Sequence, residues 1–275
     1  MIEAPEHAVA LGRPSYVWRS GQERRLALIS RYATLEGRRI LDVGCGIGTY
    51  VNRLRDLSNR VYGVDIEEKR LRRGAETLPN LALAAAECLP FLDASFDVVL
   101  LNEVIEHVKD DAAAVREACR VTAGGGHIVI YAPNRLFPFE THGVYLGGRY
   151  VFGNIPLVNY LPGFLRRRLV PHARAYLGGD VTRLLQGLEA EVIVRTYVFP
   201  GFDNVGARSA RLGKLMRAVF HGLEGTPLRI FGLSHFLVLE RHGQRPDPVG
   251  GLCPPAGGPA QSRRLEGPPS GRRHD

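Results

Sequence analysis

Short aliphatic and β-branched runs recur along the chain, and most are followed by a stretch with helical periodicity. "RRILDVG" (38–44) reads as a buried strand. A helix is expected over 48–57. "RVYGVDI" (60–66) reads as a second strand and 67–78 as a second helix. "LALAAA" (81–86) is expected as a third strand. "FDVVLLN" (96–102) is expected as a fourth, with the helical "DDAAAVREACRV" behind it. "GGHIVIYAP" (125–133) reads as a fifth strand. Further on come a helix in "GDVTRLLQGL", a strand in "EVIVRTYVF", a helix over about 207–223 and a last strand, "SHFLVLE". Strands alternating with helices are the pattern of a parallel, doubly wound α/β sheet.

The pattern breaks in two places. Residues 133–176 are rich in aromatics, Gly and Pro and are too long for a plain connection. They carry Phe137, Phe139, Tyr145, Tyr150, Phe152, Tyr160 and Phe164, then Arg166, Arg167, Arg168 and Arg174. One expectation is a lid whose aromatics fill a small core of its own. The other is an amphipathic lid that admits a lipophilic substrate or makes peripheral contact with an anionic membrane through Arg166, Arg167 and Arg168. Residues 241–275 are dense in Pro, Gly and Arg with little to bury, so a disordered basic tail is expected. The domain reading is therefore 1–240 as one domain, with 133–176 as its substrate cover, and 241–275 as a tail.

Composition narrows the function class. A chain of 275 residues with 45% hydrophobic content can build one sizeable core. The net charge of +8 is spread along the chain, so nucleic acid is not the expected partner. Cys45, Cys88, Cys119 and Cys253 form no CxxC pair and no zinc-site spacing with histidines. Reduced thiols in a cytoplasmic protein, and no metal, are the expectation. The first residues lack a basic flank followed by an apolar stretch, and no apolar run reaches the roughly 18 residues of a membrane span. Oligomeric state is not legible.

"ILDVGCGIGTYV" (40–51) places Gly44, Gly46 and Gly48 directly behind the first strand. Glycines there allow a tight strand-to-helix turn and let a ligand lie against bare backbone. Asp65 ends the next strand, where a carboxylate can take a ribose diol. The pair points to a nucleoside-bearing cofactor. A dinucleotide fits poorly: the pattern is GxGxG with Thr49 at the third fingerprint position, and Asp42 would disfavour a pyrophosphate while suiting a cationic or zwitterionic ligand.

These motifs, taken with "VYGVDI", "AECLPFLDASFDVVLLNEVIEHV" and "GGGHIVIYAPN", resemble in order those of class I S-adenosylmethionine-dependent methyltransferases, small-molecule branch. The resemblance covers about 15–135. It implies a seven-stranded sheet, mostly parallel with a last antiparallel strand, in a three-layer α/β/α arrangement, with S-adenosyl-L-methionine as cofactor. It implies that Asp42, Gly44, Cys45, Gly46 and Gly48 hold the methionine end. Asp65 would hold the ribose, Ile66 and Leu89 would sandwich the adenine, and Asn102 and Glu103 would flank the sulfonium. Tyr16 and Arg19 would close over the cofactor. The acid that commonly contacts the adenine amino group is replaced by Ala85, with Glu87 as its expected substitute.

Methyl transfer from a sulfonium is an in-line displacement in which alignment does most of the work. A base is needed when the acceptor is a hydroxyl. His107, Glu140 and His142 lie where such a base would stand, at the carboxyl edge of the sheet. The reading is methyl transfer to a small or lipid-like molecule at oxygen. The alternatives are a cofactor-binding protein without turnover and a protein or RNA methyltransferase; "LNEVIEH" in place of an "NPPY"-type turn argues against the last.

Overall fold

The computed structural model describes residues 18–243. Helix α1 (Ser20–Ser30) leads to strand β1 (Ile40–Val43), helix α2 (Thr49–Leu54), strand β2 (Val61–Asp65), helix α3 (Glu68–Ala75) and strand β3 (Leu81–Leu83). Strand β4 (Phe96–Asn102), helix α4 (Asp111–Val121) and strand β5 (Thr122–Pro133) follow. The next segment holds four short strands, β6 (Phe139–Glu140), β7 (Val144–Leu146), β8 (Arg149–Val151) and β9 (Ile155–Pro156), then a 3-10 turn at Val158–Tyr160 and helix α5 (Gly163–Leu169). The chain closes with α6 (Gly178–Leu184), β10 (Ala190–Val198), α7 (Asp203–Arg208), α8 (Ala210–Leu223), a 3-10 turn at Pro227–Phe231 and β11 (Ser234–Arg241).

The main sheet has seven strands in the order β10-β11-β5-β4-β1-β2-β3. β1 through β5 pair in parallel, and β11 lies antiparallel between β5 and β10. The resemblance implied this arrangement. Alternate residues of each central strand enter opposite cores. Ile40, Val98, Leu100, Val129, Phe236 and Val238 pack with α1, α2 and α3. Leu41, Val99, Leu101, Ile128, Ile130, Leu237 and Leu239 pack with α4 and α6. β1 is buried at every position, as expected of a strand covered on both faces. α4 starts where the Asp110 side chain accepts the Ala113 N–H at 2.8 Å.

Three elements depart from the sequence reading. The third strand ends at Leu83 instead of residue 86, because the chain turns back and Ala85 bridges Cys88. The helix expected over 207–223 is two helices. Ser209, extended at φ −150°, breaks them and accepts the Leu212 N–H at the start of α8. α1 was not singled out by periodicity; its apolar face is narrow, with Leu26 and Ile29 buried.

Residues 134–177 form a compact cover beside the carboxyl edge of the sheet. β6 pairs with β9 and β7 with β8, both antiparallel. The aromatics do not fill its core. Val144, Val158, Val170 and Ala173 do, while Phe152, Tyr160 and Phe164 are exposed. Arg166 is buried at 5% exposure, so it is not part of an outward basic face; of the three arginines only Arg167 and Arg168 are exposed. Its guanidinium donates to Glu140 Oε2 (2.6 Å), Asn159 Oδ1 (3.0 Å) and the Ala173 carbonyl (3.0 Å). A buried charge is tolerated when it is paired and its donors are used. Tyr176 ties the cover to the sheet edge by donating to the Ile105 carbonyl at 2.9 Å. No helix among the described residues is long and apolar enough to cross a membrane.

Candidate active site

Sheet order reverses between β1 and β4, and a crevice opens there at the carboxyl ends of the strands. It holds a cavity of about 400 Å³ bordered by Asp42, Gly44, Cys45, Gly46, Asn102 and Glu103, and by Arg19 at its rim. Gly44 stands at φ +71°, where an added Cβ would lie 2.6 Å from Val104 Cγ2. Gly46 stands at φ +58°, and an added Cβ would meet nothing nearer than 4.0 Å. The first glycine is required by packing, whereas the second leaves open space on the cleft side.

Asp65 is buried, and its carboxylate shapes the loop. Oδ2 accepts the Gly46 N–H and Oδ1 the Glu67 N–H, both at 2.8 Å. Asp42 is buried beside it; burial, then the Asp65 charge, pushes its carboxyl up to about 8. An incoming ammonium would restore its charge. Asn102 lies at the cavity wall with neither Oδ1 nor Nδ2 bonded among the described residues, and the Tyr50 hydroxyl there is also without a partner. Buried polar atoms left unpaired are costly, and their presence around one cavity suits a polar ligand. Space at Gly46, an acid for an ammonium group and an unpaired amide beside Glu103 together fit S-adenosylmethionine.

Glu103 holds a left-handed backbone at φ +56°, an uncommon state for a non-glycine residue that recurs where function fixes geometry. Its Oε1 accepts from Arg25 Nη2 and from Ser234 Oγ, each at 2.7 Å. Burial alone would raise its pKa, but the Arg25 charge and the Ser234 hydrogen bond hold it below the usual carboxylate range. Arg25 is a residue that sequence reasoning missed, because nothing in α1 marks it out.

A second cavity of about 230 Å³ adjoins the first, and both are bordered by Arg25, Glu103 and Leu233. Its remaining wall is the cover: Phe137, Phe139, Glu140, Thr141, His142 and Asn159. Glu140 is not placed as a base. It is 1% exposed, paired with Arg166, and accepts from both the backbone and Nδ1 of His142 at 2.9 Å. Burial would raise its pKa, yet the His142 hydrogen bonds and the Arg166 charge hold it at about 2. His142 and His107 do come together, with ring centroids 5.3 Å apart. Burial, then His142, lowers the His107 pKa.

Glu106 is the second residue that sequence reasoning missed. Its side chain is fully buried between these histidines, and neither carboxylate oxygen has a hydrogen-bond partner of normal geometry among the described residues. Burial, then the neighbouring Glu103 charge, raises its pKa well above the usual value. A carboxylate three residues after Glu103 in "NEVIEH" was the available signal.

Several adenine-side expectations need correction. Leu89 is buried in the core and its N–H donates to Glu117. Glu87 is committed to the turn before α4, accepting the Lys109 N–H at 2.8 Å. Ile66 is 73% exposed, which leaves its face free for a ring. Gly48, at φ +83°, precedes α2. Tyr16 lies outside the described residues. The expectation of no metal also meets a contrary arrangement, since Glu106, His107 and His142 offer ligand atoms all within 4.8 Å of one another.

Residues 41–130 match the family described as a methyltransferase domain. A probable S-adenosylmethionine-dependent methyltransferase of Mycolicibacterium smegmatis is 36% identical over 102 residues, which is 36% of this chain and 40% of that protein. A ubiquinone biosynthesis O-methyltransferase of Paracidovorax citrulli is 31% identical over 140 residues, 48% of this chain and 58% of that protein. The chain thus spans about half the length of the curated relatives it matches. Among solved structures, an S-adenosylmethionine dependent methyltransferase from Mesorhizobium loti superposes with a TM-score of 0.56 at 19% identity, covering 78% of this chain and 96% of that one. The [4+2]-cyclase SpnF superposes with a TM-score of 0.54 at 17% identity over 84% of each chain. Both likenesses concern the fold. Residues 41–130 thus carry a methyltransferase domain, in a segment similar to proteins named for S-adenosylmethionine-dependent methyl transfer.

Proposed function

We propose that the protein moves a methyl group from S-adenosylmethionine to a hydroxyl of a small, partly aromatic or lipophilic molecule. The observation that carries this reading is the pair of adjoining cavities. The cofactor cavity and the smaller pocket under the cover share Glu103, Arg25 and Leu233. A sulfonium methyl held beside Asn102 and Glu103 faces the neighbouring pocket, whose Phe137 and Phe139 suit a planar apolar body. The ubiquinone biosynthesis O-methyltransferase name of a relative supports an oxygen acceptor. The residues of this chain supply alignment and exclude water. The acceptor oxygen loses its proton at the polar corner formed by Glu106, His107 and His142, because Glu140 is committed to Arg166 and His142. We read the protein as working in the cytoplasm, with residues 133–176 as the acceptor cover.

The test is turnover with methyl-labelled cofactor against a panel of catechols, phenols and prenylated phenols. Expected are a labelled methyl ether and S-adenosylhomocysteine in equal amounts. Tight S-adenosylhomocysteine binding with no methyl ether from any phenolic acceptor would reject this reading and favour a cofactor-binding protein or a macromolecular acceptor.

A further inference from the structure

We propose that Glu106, His107 and His142 form a site for a divalent first-row transition-metal ion beside the smaller cavity, which His142 borders. Glu106 and His107 come from the turn after β4 and His142 from the cover, so the site closes only when the cover is folded onto the sheet. Glu106 Oε1 lies 3.7 Å from His107 Nε2 and 3.9 Å from His142 Nε2. Ligand bonds of about 2.0–2.2 Å at a tetrahedral ion would bring such atoms to about 3.4 Å apart. The two glutamate–histidine separations therefore need to close by only a few tenths of an ångström, and the two histidine nitrogens, within 4.8 Å of each other, by up to about 1.4 Å.

The hydrogen bonds behind the two rings settle which nitrogen faces the site. His107 Nδ1 lies 3.0 Å from the His172 carbonyl oxygen, and His142 Nδ1 lies 2.9 Å from Glu140 Oε1. A carbonyl and a carboxylate paired to Arg166 can only accept, so each Nδ1 carries the hydrogen. Each Nε2 of a neutral ring then presents a lone pair toward Glu106. Glu106 adds two oxygens with no partner among the described residues and a side chain with no exposed surface. With Glu106 ionised, three acceptors would face one another at distances too long for hydrogen bonds, and a cation between them would hold that charge. An outer carboxylate that orients a ligating imidazole is a recurrent support of metal sites, and here Arg166 fixes that carboxylate in turn.

Two imidazoles and one carboxylate suit manganese, iron, cobalt or zinc better than calcium, which prefers an all-oxygen shell. Three protein ligands leave a position open for an oxygen of the acceptor. That role rests on the O-methyl transfer reading above. The acceptor O–H would lose its proton to solvent on binding the ion. Its oxygen pair would then form the bond to the methyl carbon as the C–S bond breaks and leaves its pair on sulfur. The ion would keep its charge throughout.

The full chain, stripped with chelator, would be titrated with Co²⁺ alone, followed by calorimetry and by the visible d–d bands of the bound ion. S-adenosylhomocysteine binding serves as the independent readout of fold and cofactor cavity. Wild type is expected to bind one Co²⁺ per chain. Glu106→Gln, His107→Ala and His142→Ala are each expected to weaken it by at least about 10-fold while retaining S-adenosylhomocysteine binding, and Glu140→Gln by about 10-fold through loss of orientation. No Co²⁺ binding, or binding untouched by the three ligand variants, would overturn the site. Co²⁺ binding that follows the triad without methyl transfer to any hydroxyl would uphold the site and sink the O-methyl reading. Methyl transfer that survives complete metal removal would overturn the ion's role at the acceptor oxygen.

Discussion

In the cover, Arg166 spends its donors on Glu140, Asn159 and the Ala173 carbonyl, and Glu140 also holds His142. Around the cofactor cavity, Asn102 and Tyr50 have buried polar atoms that bond to nothing among the described residues. Both regions bury polar groups, but the Arg166 network satisfies its own whereas the cleft does not. A satisfied buried network holds a shape, whereas an unsatisfied one is matched to something that arrives. Substitutions in the two regions should therefore act on different quantities.

The largest effect is expected in the cover. Arg166→Ala leaves the Glu140 carboxylate buried without its cation, and removing one partner of a buried pair costs about 3–5 kcal/mol. Denaturant unfolding should report that loss, and limited proteolysis should localise it to 134–177. S-adenosylhomocysteine affinity should hold, because Arg166 is absent from the border of the cofactor cavity. An equal loss of cofactor affinity would mean that the two regions are one energetic unit.

The cleft was legible for a topological reason. Asp42 to Gly48, Asp65 and Asn102–Glu103 are far apart in sequence, but each follows a readable strand, and a parallel sheet brings strand ends to one edge. The cover offers no such frame. "RRR" at 166–168 looks like one basic face, yet a helix turns 100° per residue, and only Arg166 points inward to Glu140, 26 residues earlier. Periodicity marks apolar positions as buried and has no way to flag a charge whose partner lies on another element. The same blindness hid Arg25, and it hid Glu106 in a motif read for Asn102, Glu103 and His107. Leu89 and Glu87 failed differently: their place beside the third strand was right in sequence, but the turn at 85–88 directs them to the core and to α4.

A pair of glycine substitutions sharpens the contrast inside the cleft. Gly44→Ala would strain a backbone at φ +71° and press a Cβ against Val104 at 2.6 Å. A stability loss of about 2 kcal/mol is expected by thermal or denaturant unfolding. Gly46→Ala carries similar backbone strain at φ +58° but meets no neighbour, so its loss should be nearer 1 kcal/mol. Its larger effect should be on S-adenosylhomocysteine affinity. Equal stability losses would mean that packing against Val104 contributes nothing.

Asp42 makes the cleft sensitive to pH. Its folded pKa of about 8 stands above its ordinary value of 3.8. Between those values the folded chain binds more protons than the unfolded one, so stability falls as pH rises. The Asp42 contribution is fully present below about pH 4, declines at up to about 1.4 kcal/mol per pH unit and is gone above pH 8. Asp42→Asn should flatten that part of the profile and be the more stable protein at pH 8, while binding S-adenosylhomocysteine more weakly. Parallel profiles for the two proteins would mean that Asp42 is solvated or paired in solution.

Asn102→Ala gives the smallest effect and the sharpest sign. In the cover, removing a polar group removes bonds that exist, so stability must fall. At Asn102 the amide makes no bond among the described residues, and burial of an unpaired amide is itself unfavourable. Removing it should leave unfolding free energy unchanged or slightly higher, at a cost of about 1 kcal/mol in S-adenosylhomocysteine binding, or about 5-fold in Kd. Calorimetric titration and denaturant unfolding of one preparation measure both. A loss of stability with unchanged affinity would place Asn102 in the scaffold and remove the distinction between a polar group held for the fold and one held for the ligand.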